Sequence, residues 1–203
     1  MKFYPLLLTG MVFTLLCTSC SNGSTSDSKD KADSTNTARI DSAKAADTVA
    51  SNQNTMADMK QDANFAVAAA DAGMLEVALG KLAATKGTSP AVRKFASQMV
   101  ADHSKTNTEL KTLATEKNIA VPKEMSDKCQ KALADMKEDK KGKDFDKAYA
   151  DQMVKDHKDA IDEFKKESEK GTDSQLSAWA KSKIPTLEHH LMMAEEMQKT
   201  VEK

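Results

Sequence analysis

The chain has 203 residues, with 30 Lys and Arg against 31 Asp and Glu, so a formal net charge of −1 leaves no single-sign field to recommend nucleic acid or an anionic surface as a partner. Only seven glycines and four prolines interrupt a composition dominated by Ala, Lys, Glu, Leu, Met and Asp, which excludes a sheet-based domain and predicts an all-α one. Once two N-terminal segments are set aside, the remainder suffices for one domain with a hydrophobic core.

Lys2 is followed by an apolar run from Phe3 to Leu16 and then Cys17-Thr18-Ser19-Cys20. The run is shorter than the roughly 20 apolar residues that cross a bilayer, so it reads as an export signal. Thr18 and Ser19 directly before Cys20 resemble a bacterial lipobox, which implies a signal peptide over 1–19 and an acylated Cys20. The expected address is therefore the bacterial cell envelope, at the outer membrane facing the periplasm, with a lipid anchor as the contact to the membrane. Residues 20–61 are mostly Ser, Thr, Asp, Lys, Asn and Ala, too polar to offset their ordering entropy, and predict a solvated, disordered tether.

The domain spans 62–203. Its first helix is predicted over about 62–86, with Phe65, Ala68, Ala72, Leu75, Leu79 and Leu82 on one face. Gly87 suits a C-terminal cap, Ser89 an N-cap and Pro90 the first helical position. The second helix carries Val92, Phe95, Met99, His103, Leu110 and Leu113 to about Asn118. A short extra helix over 125–137 follows, then a long one with Phe145, Tyr149, Met153, His157, Ile161 and Phe164 that ends at Gly171. The last runs from Ser174 to about Val201, with a kink expected at Pro185. Four long amphipathic helices joined by mostly short turns predict an antiparallel four-helix bundle.

Met99-Val100-Ala101-Asp102-His103 returns as Met153-Val154-Lys155-Asp156-His157, an internal repeat built on a histidine within an apolar stripe. At about 1.5 Å per residue, Glu76 lies roughly 18 Å before the Gly87 turn and His103 roughly 22 Å after it; His157 and His190 lie roughly 22 and 27 Å from the Gly171 turn. All four are therefore expected at one level. His190 falls among Leu187, Ala194 and Met197, whereas His189 points away. Gly73 and Gly80 flank Glu76 where a neighbouring helix can approach closely.

The motifs Ala72-Gly73-Met74-Leu75-Glu76-Val77, Leu79-Gly80-Lys81-Leu82-Ala83, the two histidine phrases with Phe95-Ala96, Phe145-Asp146 and Tyr149, and Pro185-Thr186-Leu187 leading to His190-Leu191 resemble the bacterial family called domain of unknown function 4142. The resemblance covers about residues 62–197. It implies a ferritin-like bundle, often on exported proteins, with no settled biochemical role.

Two readings of the inward histidines stay open. In one, His103, His157, His190 and Glu76 hold a single transition-metal ion, since imidazole suits iron, copper and zinc. A di-iron centre of the usual ferritin kind is disfavoured, because Val100 and Val154 stand where the Glu of a Glu-x-x-His pair would be. Met99 and Met153, one turn before a histidine, would suit monovalent copper but serve equally as core filler. In the other reading the histidines are neutral core residues bonded to one another, to Glu76, or to Asp102 and Asp156 as a supporting polar network.

Cys129 reads as an inert lone thiol, and Ser and Thr sit in the tether or at helix ends. No phosphate loop, Cys-x-x-Cys pair or nucleophile elbow appears, which points away from an enzyme. The expected function is a non-catalytic envelope lipoprotein with an accessory or stress-related binding role; the alternative is a metal-binding redox or storage protein using the inward histidines and Glu76. The protein partner is not specified by the sequence, and self-association stays open.

Overall fold

A computed structural model of the chain describes residues 27–46, 53–138 and 141–203. The signal segment and Cys20 lie outside them. Among the described residues the protein is all-α, with six helices and no strand: α1 (Ser28–Ala46), α2 (Gln53–Lys86), α3 (Pro90–Glu116), α4 (Asp127–Glu138), α5 (Gly142–Lys170) and α6 (Ser174–Val201). None of them is long and apolar enough to cross a membrane. The most extensive packing is α2 on α3 and α5 on α6, two hairpins closed by short turns. α6 runs unbroken through Pro185.

The stretch read as a disordered tether differs from that expectation. It contains α1, and α2 begins at Gln53 rather than near residue 62. Composition missed α1 because it buries little apolar surface, chiefly Ala32, and much of its docking is polar. Asn36 donates from Nδ2 to the Ala120 carbonyl (2.8 Å) and accepts from the Ala120 N–H (2.6 Å), while Arg39 donates to the Asn118 carbonyl (2.8 Å). Side-chain bonds to a loop backbone satisfy groups that an apolar count does not register. That loop starts at Asn118, whose φ of 55° lets the Ile119 N–H return to the Ala114 carbonyl (2.8 Å) and close the end of α3.

Asp146 on α5 clasps the α2–α3 turn by accepting from the Thr88 N–H (2.9 Å), the Ser89 N–H (2.7 Å) and the Thr88 hydroxyl. Asp62 on α2 clasps the α5–α6 turn in the same way, accepting from the Thr172 N–H (3.0 Å), the Thr172 hydroxyl (2.8 Å) and the Asp173 N–H (2.8 Å). The two hairpins thus fasten each other. Asp62/Asp146, Gly87/Gly171 and Thr88/Thr172 share one displacement along the chain, so the two clasps are equivalent in position. Gly87 is required by space rather than by a left-handed cap: an added Cβ would lie 2.7 Å from the Ala83 oxygen and from a Val92 methyl.

Glu167 is buried at this second clasp, and burial followed by the neighbouring Asp62 charge pushes its carboxyl up to about 7. A carboxyl raised from 4.5 contributes stability that is fully present below that value and is lost as pH rises through about 7. Glu167→Gln is therefore expected to stabilise the protein at about pH 8 by about 1–2 kcal/mol, discounted for nearby solvent, and to leave it little changed at about pH 4. Urea unfolding of both proteins at the two pH values checks this.

The interior is divided. One apolar cluster holds Leu79, Phe95, Met99, Tyr149, Met153 and Met197, and a second holds Phe65, Leu110, Ile161, Phe164, Leu176 and Leu187. On each long helix the residue that separates the two clusters is polar: Glu76, His103, His157 or His190, each no more than 6% exposed. Ala68 and Ala72, expected on the inward face of α2, are exposed instead, and Ala66, Val67, Gly73 and Gly80 are buried. The glycines let α3 close in, for a Cβ at Gly80 would sit 2.9 Å from a Val100 methyl and 3.1 Å from the Ala96 oxygen.

Candidate metal centre

The four polar residues that the sequence places at one level do meet. The ring centres of His103 and His157 are 5.6 Å apart, those of His103 and His190 5.3 Å, and those of His157 and His190 5.4 Å. One nitrogen from each ring lies within 4.8 Å of one from each of the others, the sole cluster of His, Cys, Asp or Glu with metal-holding geometry among the described residues. His189 is exposed, as its helical position requires.

Each ring is fixed through one nitrogen. His103 Nδ1 lies 2.7 Å from Glu76 Oε2, His157 Nδ1 lies 2.9 Å from the Met153 carbonyl, and His190 Nε2 lies 2.9 Å from Asp102 Oδ2. Carbonyl and carboxylate oxygens only accept, so each of these nitrogens carries the hydrogen. The opposite nitrogens, Nε2 of His103, Nε2 of His157 and Nδ1 of His190, are buried and have no protein partner. On a neutral ring such a nitrogen presents a bare lone pair. Where the rings are neutral, three such lone pairs crowded into a buried layer repel one another and attract a cation.

Electrostatics act differently on the members of the cluster. Burial works to raise Glu76, but the facing imidazoles outweigh it and hold the carboxyl below its ordinary range. For His103 burial works downward, yet the Glu76 charge prevails and raises it. His190 is pushed down to about 4, chiefly by burial, despite its bond to Asp102. It is therefore a neutral donor of its Nε2–H at pH 7, with a free Nδ1. The buried Tyr149 hydroxyl, also unpartnered, is pushed well up by burial and then by the Glu76 charge.

Glu76 itself does not stand among the unpartnered nitrogens. Its carboxylate, expected from the sequence as a fourth ligand, faces His103 Nδ1 and, at 3.7 Å, His157 Nδ1, and is not part of the three-nitrogen cluster. Asp102 orients His190 and also accepts from Gln98 (2.6 Å). Asp156 accepts from Gln152 (2.7 Å), the same one-turn bond in the second copy of the repeat, but it bonds no histidine. Its carboxyl is raised, mainly by burial. Met99 and Met153 pack in the apolar cluster beside the site. The Met153 carbonyl escaped sequence reasoning, which follows side chains; its only trace is its place one turn before His157. Cys129 donates to Asp71 Oδ2 (3.2 Å), and burial pushes its thiol up to about 11, the condition of an inert thiol.

Three imidazoles from α3, α5 and α6, each backed by an acceptor, have a spacing that could hold one metal ion. A family model described as Domain of unknown function (DUF4142) matches residues 45–197. No curated protein and no solved structure matches the chain.

Proposed function

The chain belongs to the Domain of unknown function (DUF4142) family, and from that premise we propose that it holds a single transition-metal ion on His103, His157 and His190. The four long helices α2, α3, α5 and α6 form a ferritin-like antiparallel bundle around this centre, and an acylated Cys20 anchors the protein in the bacterial envelope. The observation that carries the metal reading is the set of three buried ring nitrogens without partners, each on a ring whose other nitrogen is held by an acceptor. Imidazole nitrogens select iron, copper or zinc over magnesium or calcium. With only Glu76 and Asp102 against the rings, each occupied by an imidazole nitrogen, one ion fits the donors better than two.

Elemental analysis of protein purified without added metal is the direct test. Stoichiometric metal that disappears in both His103→Ala and His157→Ala is the expected result. Metal-free protein with no affinity for iron, copper or zinc would overturn the reading and leave a polar layer that only sets helix register. Glu76→Gln keeps an acceptor beside His103 but removes the charge, so metal affinity is expected to fall about 10- to 100-fold, measured by competition with a chromophoric chelator. Release of Cys20→Ala from membranes tests the anchor.

A further inference from the structure

A cavity of about 780 Å³ opens beside the histidine layer, and Glu76, Asp102, His103 and His190 are part of its wall. His157 is not; it is 0% exposed behind the other two rings. A cation held by all three rings therefore has protein behind it and open space in front. Three protein donors also leave a tetrahedral ion one position short.

The remainder of the cavity is chiefly apolar. Phe65, Leu110, Phe164 and Leu187, all from the second core cluster, border it, together with the small residues Ala72 and Ala160. Lysines near its edge are partly neutralised, with Lys183 bound to Glu109 and Lys155 to Asp159. The volume is that of a site for one small organic molecule rather than for water or a simple anion.

We infer that this cavity is the ligand site of the metal centre, and that it takes an amphiphile with an oxygen-donor head on the ion and an unbranched apolar chain along Phe65, Leu110, Phe164 and Leu187. The inference rests on the metal reading above. Small residues at Ala72, exposed, and Ala160, half-buried, leave the chain room. His103 and His190, the residues that carry two of the unpartnered nitrogens, belong to its wall, so head-group and chain recognition are contiguous.

The test uses the full chain carrying Cys20→Ala, free of detergent that would compete for the cavity, loaded with cobalt(II) and titrated with straight-chain alkyl hydroxamates of two to six carbons. The visible bands of cobalt report both loading and ligand exchange. The dissociation constant is expected to fall about fourfold per added methylene. Ala72→Phe is expected to abolish that chain-length dependence and leave the cobalt spectrum without hydroxamate unchanged. Bands that respond equally to every chain length, or a dependence that survives Ala72→Phe, would overturn the inference while sparing the metal reading. Absence of any cobalt spectrum would remove both.

Discussion

Saturated with zinc(II) at about a hundred times its dissociation constant, the protein is expected to gain about 2.7 kcal/mol of stability and to melt about 5–10 °C higher. The ion binds only where three rings from separate helices are assembled, and an unfolded chain does not assemble them, so binding free energy becomes folding free energy. His157→Leu separates this from a structural role. It removes a buried nitrogen without a partner and substitutes an apolar side chain of similar size at a fully enclosed position. Metal-free stability is then expected to change by less than about 1 kcal/mol, because an unsatisfied polar group is exchanged for an apolar one. The zinc increment is expected to vanish. The opposite pattern, a metal-free loss above about 2 kcal/mol with the increment retained, would identify the imidazoles as a register-setting network. Zinc binding is also expected to weaken as pH falls, since the Glu76 charge favours a proton on His103 that competes with the ion.

Asp146→Ala is expected to cost about 2–4 kcal/mol, the second large effect, with no change in metal stoichiometry. Its carboxylate, 2% exposed, accepts two backbone N–H groups and a hydroxyl where α2 hands over to α3. Charge-assisted bonds are about twice as strong as neutral ones, and the freed amides are left partly buried. Solvent reaches the turn at Thr88, which keeps the cost below the sum of three buried bonds. Asp62→Ala removes the counterpart clasp and is expected to fall in the same range. Urea unfolding with an unchanged m-value checks both, because a lost clasp lowers stability without altering the surface exposed on unfolding.

The histidine repeat was legible because it is written in side chains at helical spacing. Short turns at Gly87 and Gly171 fix neighbouring helices as antiparallel, so distances along the chain translate into depths within it, and the meeting of Glu76 with His103 follows at 2.7 Å. The clasps were not legible: Asp62 and Asp146 look like any other acids on a charged helix, and their meaning lies in the turns they cross to. α1 was missed for a related reason. Its attachment is Asn36 against the Ala120 backbone, a contact that no apolar periodicity encodes.

By itself the sequence determined the helical class, four of the five helices from α2 onward nearly to their ends, and the level at which the polar residues gather. Periodicity of 3.6 and chain length along rigid rods are local quantities, and those suffice for that. Only the tertiary structure decided what each group faces: that Glu76 backs a ring instead of joining its free nitrogen, that Asp102 holds His190 while Asp156 holds none, and that Ala68 and Ala72 border a cavity instead of filling a core. Those outcomes depend on the rotation of each helix about its own axis, which is set by packing against the others and is encoded in no single helix.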